Sequence, residues 1–174
     1  GIDLEWRFRG DVPGNSAVLI FPSDPASDFE EAGLMYHEVI ASARRRIWIA
    51  SPYFVPDRSI ISALQLAALR GVDVRVLIPD RRDKVVVGMA NWAFTRELLP
   101  AGIRIYRYRD GFLHQKVFLM DDRLAGVGTA NFDNRSFRLN FEITALVHDP
   151  GRRAEVEAML VSDFADSRLV EEAE

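Results

Sequence analysis

Two hydrophobic periods alternate along the chain. Ser16–Phe21 is a short apolar run closed by Pro22 and Pro25, which predicts a buried strand. From Asp28 the positions Phe29, Leu34, Met35, Val39 and Ile40 recur at helical spacing, followed by Arg44–Arg46, cations that suit a helix C-terminus. Ile47–Ala50 predicts a second strand, stopped at Ser51–Pro52. Asp57 is a natural N-cap for a helix running to Arg70, with Gly71 as its stop. Val72–Ile78 predicts a third strand with Val72, Val74, Val76 and Ile78 on one face. Lys84–Leu99 reads as a helix and Ile103–Tyr108 as a strand. Leu113–Met120 and Leu124–Val127 flank the Asp121–Asp122–Arg123 turn as a hairpin. Phe141–His148 alternates as a strand, and Arg152–Phe164 closes the pattern as a helix.

Strands alternate with helices for two thirds of the chain and then cluster. That order predicts an α/β fold: a mixed, mostly parallel β-sheet with helices on both faces and antiparallel strands toward the C-terminal part. The expected organisation is a linker over residues 1–15, one domain over 16–165 and an acidic tail over 166–174.

Composition narrows the chemistry. The chain has 174 residues, 48% of them hydrophobic and 28% charged, enough for one cored domain. It contains no cysteine, which removes disulfides, thiolate nucleophiles and Cys-based metal sites. No apolar stretch approaches the ~18 residues of a membrane span. The formal net charge of −4 argues against a dedicated nucleic-acid binder. That charge is uneven: residues 149–174 carry −5, whereas residues 81–110 carry +4, either a solvated face or a basic rim for anionic head groups. The first residue is Gly1 rather than Met, so the chain is expected to be a piece of a longer one.

One segment stands out chemically. His114, Lys116 and Asp121 form His-x-Lys-x-x-x-x-Asp, for which random placement in this composition gives roughly 0.003 matches. On a strand His114 and Lys116 share a face, where an imidazole can attack or protonate and an ammonium can neutralise phosphate oxygens. Only two of the 22 cations are lysine, so a lysine here is not the chain's default cation. A satisfied histidine beside a snorkelling lysine is the plainer alternative. Asp121 has opposite parity and opens the turn, as a local structural acceptor would. Gly128, Thr129 and Asn131 follow. Thr129 and Asn131 share a face and can offer a hydroxyl and an amide to phosphate oxygens, while Gly128 permits close backbone approach. Glu142 places a carboxylate in the last apolar strand, which costs free energy unless it is paired, as with His114, or stands in water on an edge strand. His37 and His148 have no lysine companion and read as ordinary surface or satisfied residues. Tyr53 and Phe54, in the loop after the second strand, are candidates for the mouth of the site or simply for the core.

The order His114, Lys116, Asp121, Gly128–Thr129–x–Asn131 and Glu142 resembles the phospholipase D superfamily and its HKD motif, with Thr129 where that family more often has Ser. Ile47–Asp57, Ala67–Val74, Gly111–His114 and Asn134–Phe137 are similar to bacterial cardiolipin synthases, and the resemblance covers about residues 17–165. It implies a phospholipase D-like α/β/α sandwich, with His114, Lys116, Asp121 and Glu142 as the catalytic set and Gly128, Thr129 and Asn131 binding phosphate. It further implies a phosphohistidine mechanism without metal or cofactor. One histidine attacks phosphorus and a second, across the site, protonates the leaving alcohol. This chain carries a single HKD motif, so the resemblance implies either a missing N-terminal half or a homodimer. The implied substrate is an anionic phospholipid, phosphatidylglycerol, at the surface of the bacterial cytoplasmic membrane. A dimeric phosphodiesterase or nuclease of the same superfamily, and a catalytically incomplete lipid-surface module, are the alternatives.

Overall fold

The computed structural model describes residues 16–80 and 94–171. The expected linker over 1–15, most of the expected helix Lys84–Leu99 and the last residues of the acidic tail lie outside these. Residues 94–98 are helical and run into a 3-10 turn at Leu99–Ala101.

In chain order the strands are β1 (Val18–Ser23), β2 (Arg46–Ala50), β3 (Phe54–Val55), β4 (Asp73–Pro79) and β5 (Arg104–Tyr108), then β6 (Val117–Met120), β7 (Leu124–Gly128), β8 (Phe132–Asp133), β9 (Glu142–Val147) and β10 (Ser167–Leu169). Besides the helical residues 94–98, the described residues form the helices α1 (Glu31–Ser42), α2 (Arg58–Leu69), α3 (Asn134–Arg138) and α4 (Pro150–Ala165). Eight strands form one mixed sheet in the order β1-β9-β7-β6-β2-β4-β5-β10, and β3 pairs with β8 beside it.

The sheet is mixed, as expected, but its balance differs. Only β2–β4 and β4–β5 are parallel, and the other five adjacent pairs are antiparallel. The reason is insertion. The C-terminal strands β6, β7 and β9 enter between β1 and β2, so β1 pairs antiparallel with β9 instead of lying beside β2. A second correction concerns the tail, where Ser167–Leu169 pairs with β5 and the Val170 side chain is buried. The domain therefore reaches past residue 165.

Hydrophobic burial lies on both faces of the sheet. On one, Ile47, Ile49, Val74, Val76 and Ile78 pack against Tyr36, Val39 and Ile40 of α1 and Ile60, Ile61 and Leu64 of α2. On the other, Trp48, Leu77 and Leu119 meet Leu160 and Phe164 of α4. Helix α2 begins where expected, its N-cap Asp57 accepting from the Ile60 N–H, and ends before Gly71, whose φ of 88° suits glycine. Helix α1 begins later than the pattern predicts. Its buried face is Ala32, Tyr36, Val39 and Ile40, while Phe29 and Leu34 face outward. Arg44–Arg46 do not serve its last turn. Their backbone N–H groups donate to Asp121, and the Arg46 side chain pairs with Asp122 and Glu157.

Candidate functional site

His114 and Lys116 lie in an extended lead-in, not within a strand. The expected strand Leu113–Met120 forms only from Val117, which pairs with Val127. Before that point β7 has turned away toward residues 129–131, and its final contribution is the Gly128 N–H donating to the Lys116 carbonyl at 3.1 Å. Residues 112–116 thus have no strand neighbour among the described residues, and the buried Leu113 anchors the segment. The alternation anticipated for a strand survives: the Lys116 ammonium stands 3.2 Å from His114 Nδ1 and 3.4 Å from Nε2, and donates to the His114 carbonyl at 2.8 Å. Burial lowers the Lys116 pKa from its ordinary value, opposed by the carboxylates of Glu142 and Asp133. The His114 ring is exposed and lies 5.5 Å from the nearly parallel ring of Phe112, which is itself 69% exposed. Phe112 opens a concavity of about 300 Å³ beside the imidazole.

Glu142 does not meet His114 by any hydrogen bond. It accepts from the Thr129 hydroxyl at 2.5 Å and from the Asn140 amide at 3.1 Å, and Thr129 Oγ1 in turn accepts from the Ile143 N–H. The partner a carboxylate in that strand demands is therefore supplied locally, with the ammonium of Lys116 in electrostatic range. Burial, then the charge of Glu142, pushes the Tyr36 phenol well above its usual range.

Asn131 donates its backbone N–H to Ser136 Oγ, and its buried Oδ1 has no hydrogen-bond partner among the described residues. Such an orphan acceptor on the loop after β7 is a group left ready for a ligand hydroxyl or ammonium. Gly128 permits close approach, but the group approaching is the neighbouring strand. A Cβ there would stand 2.5 Å from the Ile143 carbonyl oxygen and 2.6 Å from Thr144 Oγ1. Its requirement is packing of β7 on β9.

Two further expectations change. Asp121, 4% exposed, sits at the opposite end of β6 from the histidine and accepts from the N–H groups of Arg44, Arg45 and Arg46 at 2.8–3.3 Å. It is a positioning residue that ties the start of β2 to the end of β6, in agreement with its parity. Burial would raise its pKa, and those backbone donors with Arg123 more than offset it, holding the carboxyl below the usual range. Phe54 is 1% exposed and stacks on Phe132 at 5.4 Å, so it is core, not the mouth of the site. Tyr53 is half-buried, its carbonyl accepting from Ser51 Oγ, which also takes the Phe132 N–H.

Sequence reasoning missed the supports of this loop. Asp133 caps α3 by accepting from the Ser136 N–H at 2.8 Å, and the buried Ser136 hydroxyl holds Asn131. The Asp-x-x-Ser spacing was the available signal. Asn140 and Phe112 were missed too, since their roles depend on contacts across the fold.

A single mixed sheet with helices on both faces, which brings an imidazole and an ammonium side by side in the lead-in to a central strand, has the architecture of the phospholipase D-like fold. Superposition gives a TM-score of 0.76 with Nuc, a phospholipase D family member from Salmonella typhimurium, at 22% identity over 90% of this chain and 99% of that one. It gives 0.75 with phosphatidylserine synthase from Haemophilus influenzae, at 18% identity over 91% of this chain and 41% of that one. The chain belongs to the family described as cardiolipin synthase, PLD-like domain, whose model matches residues 36–165. Over 148 residues, 85% of the chain, it is 56% identical to cardiolipin synthase A of Pseudomonas entomophila and 52% identical to that of Pseudomonas aeruginosa. It spans 31% and 30% of those relatives, a little under a third of their length.

Proposed function

We propose that this domain is one half of a phosphatidyl transferase active site that works on phosphatidylglycerol and makes the product for which cardiolipin synthases are named. The observation that carries this reading is the exposed His114 imidazole with the Lys116 ammonium at 3.2 Å, in a chain with no second His-x-Lys. In-line displacement puts nucleophile and leaving group on opposite sides of phosphorus, so one imidazole cannot attack and protonate in the same step. One imidazole forms the N–P bond as the glycerol oxygen leaves. The second, from the missing half or a second copy of the chain, gives that oxygen its proton and then takes one from the incoming hydroxyl of another phosphatidylglycerol. The O–P bond that forms expels the imidazole, and cardiolipin and glycerol are the products. Lys116 neutralises the phosphoryl oxygens with Asn131 beside them, and Glu142 sustains the ammonium. The Thr129 hydroxyl, expected to bind phosphate, instead donates its one hydrogen to Glu142.

The surroundings support a lipid substrate. A groove of about 640 Å³ runs past Thr129 and Glu142, and Phe141 on its rim is 76% exposed, with Leu139, Ile143 and Phe112 also outward. No helix among the described residues is long and apolar enough to cross a membrane, so this part of the molecule would meet the bilayer from its surface. The net charge of −4 disfavours a nucleic-acid substrate. The test is chromatographic detection of cardiolipin from phosphatidylglycerol vesicles, with rising concentrations of this chain alone and with the remaining part of the polypeptide added. Cardiolipin that depends on His114 supports the reading. Absence of cardiolipin in both arrangements, with cleavage of a simple phosphodiester retained, would replace it by the phosphodiesterase alternative.

A further inference from the structure

Most arginines among the described residues stand in ion pairs, ten of the sixteen. Three of the other six, Arg44, Arg70 and Arg123, line a single open concavity of about 430 Å³, with Ser42 on its wall and no carboxylate in its lining. It lies at the end of the sheet remote from the histidine. Arg44 precedes β2 and Arg123 sits in the β6–β7 turn, whereas His114 leads into the other end of β6. At ~3.3 Å per residue that separation is about 15–20 Å.

Helix capping accounts for only one of the three cations. Arg70 Nη2 donates to the carbonyls of Ala41 and Ala43 at 3.2 and 3.3 Å, satisfying the end of α1. The side chains of Arg44 and Arg123 make no hydrogen bond or ion pair among the described residues. The nearby carboxylates are already occupied: Asp121 is buried on three backbone N–H groups, and Glu38 accepts from the Ser42 hydroxyl at 2.7 Å. What remains is two guanidinium groups with no bonded partner among the described residues, Arg123 acting on Asp121 only through its charge, in one concavity with a third that the helix end holds in place. Planar forks favour tetrahedral oxyanions that accept two bonds each, and three positive charges match a phosphate better than a single carboxylate.

We propose that the concavity between Arg44, Arg70 and Arg123 is a second phosphate-binding site, separate from the His114 centre, for a phosphate ester supplied either by a soluble metabolite or by a lipid head group. It is independent of the catalytic reading. The test uses the chain as it is, titrated with inorganic phosphate and followed by backbone amide NMR. Saturable shifts are expected at Ser42, Arg44, Val72 and Arg123, weakened at least tenfold in the double variant R44Q/R123Q and retained in H114N/K116Q. Unchanged amide shifts at those four residues, or a titration indifferent to R44Q/R123Q with native circular dichroism, overturn the proposal. Sedimentation with vesicles of phosphatidylglycerol in phosphatidylcholine, against phosphatidylcholine alone, then distinguishes the sources. Once the phosphate shifts are established, loss of anionic-vesicle binding in R44Q/R123Q assigns the head group, and retained vesicle binding assigns the soluble ester.

Discussion

The ammonium of Lys116 stands 3.2 Å from Nδ1 of His114, two residues away along a segment with no neighbouring strand among the described residues. On the function proposed above, proximity of this kind makes the two groups one unit, the cation holding a phosphoryl group where the imidazole can reach it. His114 is exposed and Lys116 is half-buried, so neither carries the core. In the complete enzyme, H114N is expected to abolish turnover and K116A to lower kcat at least about a hundredfold, the scale of losing one charge-stabilising donor. Both variants should melt within about 0.5 kcal/mol of the parent. K116R should recover little, because a planar fork does not occupy a point charge's position. Steady-state kinetics beside thermal melts check all three.

Burial sets the direction of Lys116's titration. Its pKa lies below the ordinary lysine value of 10.5, with Glu142 and Asp133 opposing the fall. Activity that needs the ammonium should therefore fail on the alkaline side before an ordinary lysine would titrate. E142Q keeps an acceptor for Thr129 but removes a charge that favours the ammonium, so the alkaline limb should move to still lower pH. A pH–rate profile of the two proteins reads this directly, and an unmoved limb would show that Lys116 does not govern it.

Asp121 carries a different burden. Its folded pKa is depressed, so the native state binds fewer protons than the unfolded chain, and the stability it contributes is present above the unfolded value near 3.8 and lost as pH falls through the folded one. Its φ of 50° is tolerated by Asn as well as Asp. D121N should therefore lose the charge-dependent part and flatten the acid limb of stability, while D121A should cost about 1–3 kcal/mol in denaturant melts by leaving buried N–H groups unpaired. An acid limb identical in D121N and the parent would contradict the assignment.

Two phenylalanines separate core from site. Phe54 is enclosed and stacked on Phe132, whereas Phe112 lies open beside the His114 ring. F54A should destabilise the domain by about 3–5 kcal/mol. F112A should leave the melt nearly unchanged and reduce turnover on phosphatidylglycerol. Unfolding curves and lipid assays on the pair distinguish the two roles.

The β7–β9 contact leaves no room at Gly128. G128A must displace the Ile143 carbonyl or Thr144, at a cost of about 1–3 kcal/mol, and the shift should pass to Thr129 and its bond to Glu142. A melting curve indistinguishable from the parent would show that β9 yields freely.

Much of the site was legible before the fold. His114 and Lys116 share a side because a two-residue spacing survives in any extended backbone, whether or not a partner strand pairs with it. Asp57, Gly71 and the Val72–Ile78 strand were equally readable, since caps and alternation are local properties. The start of α1 was not. Phe29 and Leu34 fit a helical period, yet what decides the buried face is the packing of Tyr36 against Phe118, Phe132 and Phe137, residues far along the chain. Glu142 shows the same limit: its need for a partner could be read, and the identity of that partner could not.

The chain by itself determined its periods, its caps and the pair of reactive side chains, because each depends on neighbours a few residues away. Strand order was decided only in three dimensions. Whether β1 lies beside β2 or beside β9 depends on which surfaces bury together, and no local spacing encodes that choice. The roles of Asp121, Gly128 and Phe54 followed from it. Each is defined by a backbone or ring that reaches it from 15 to 78 residues away in sequence, and burial makes those distant partners indispensable.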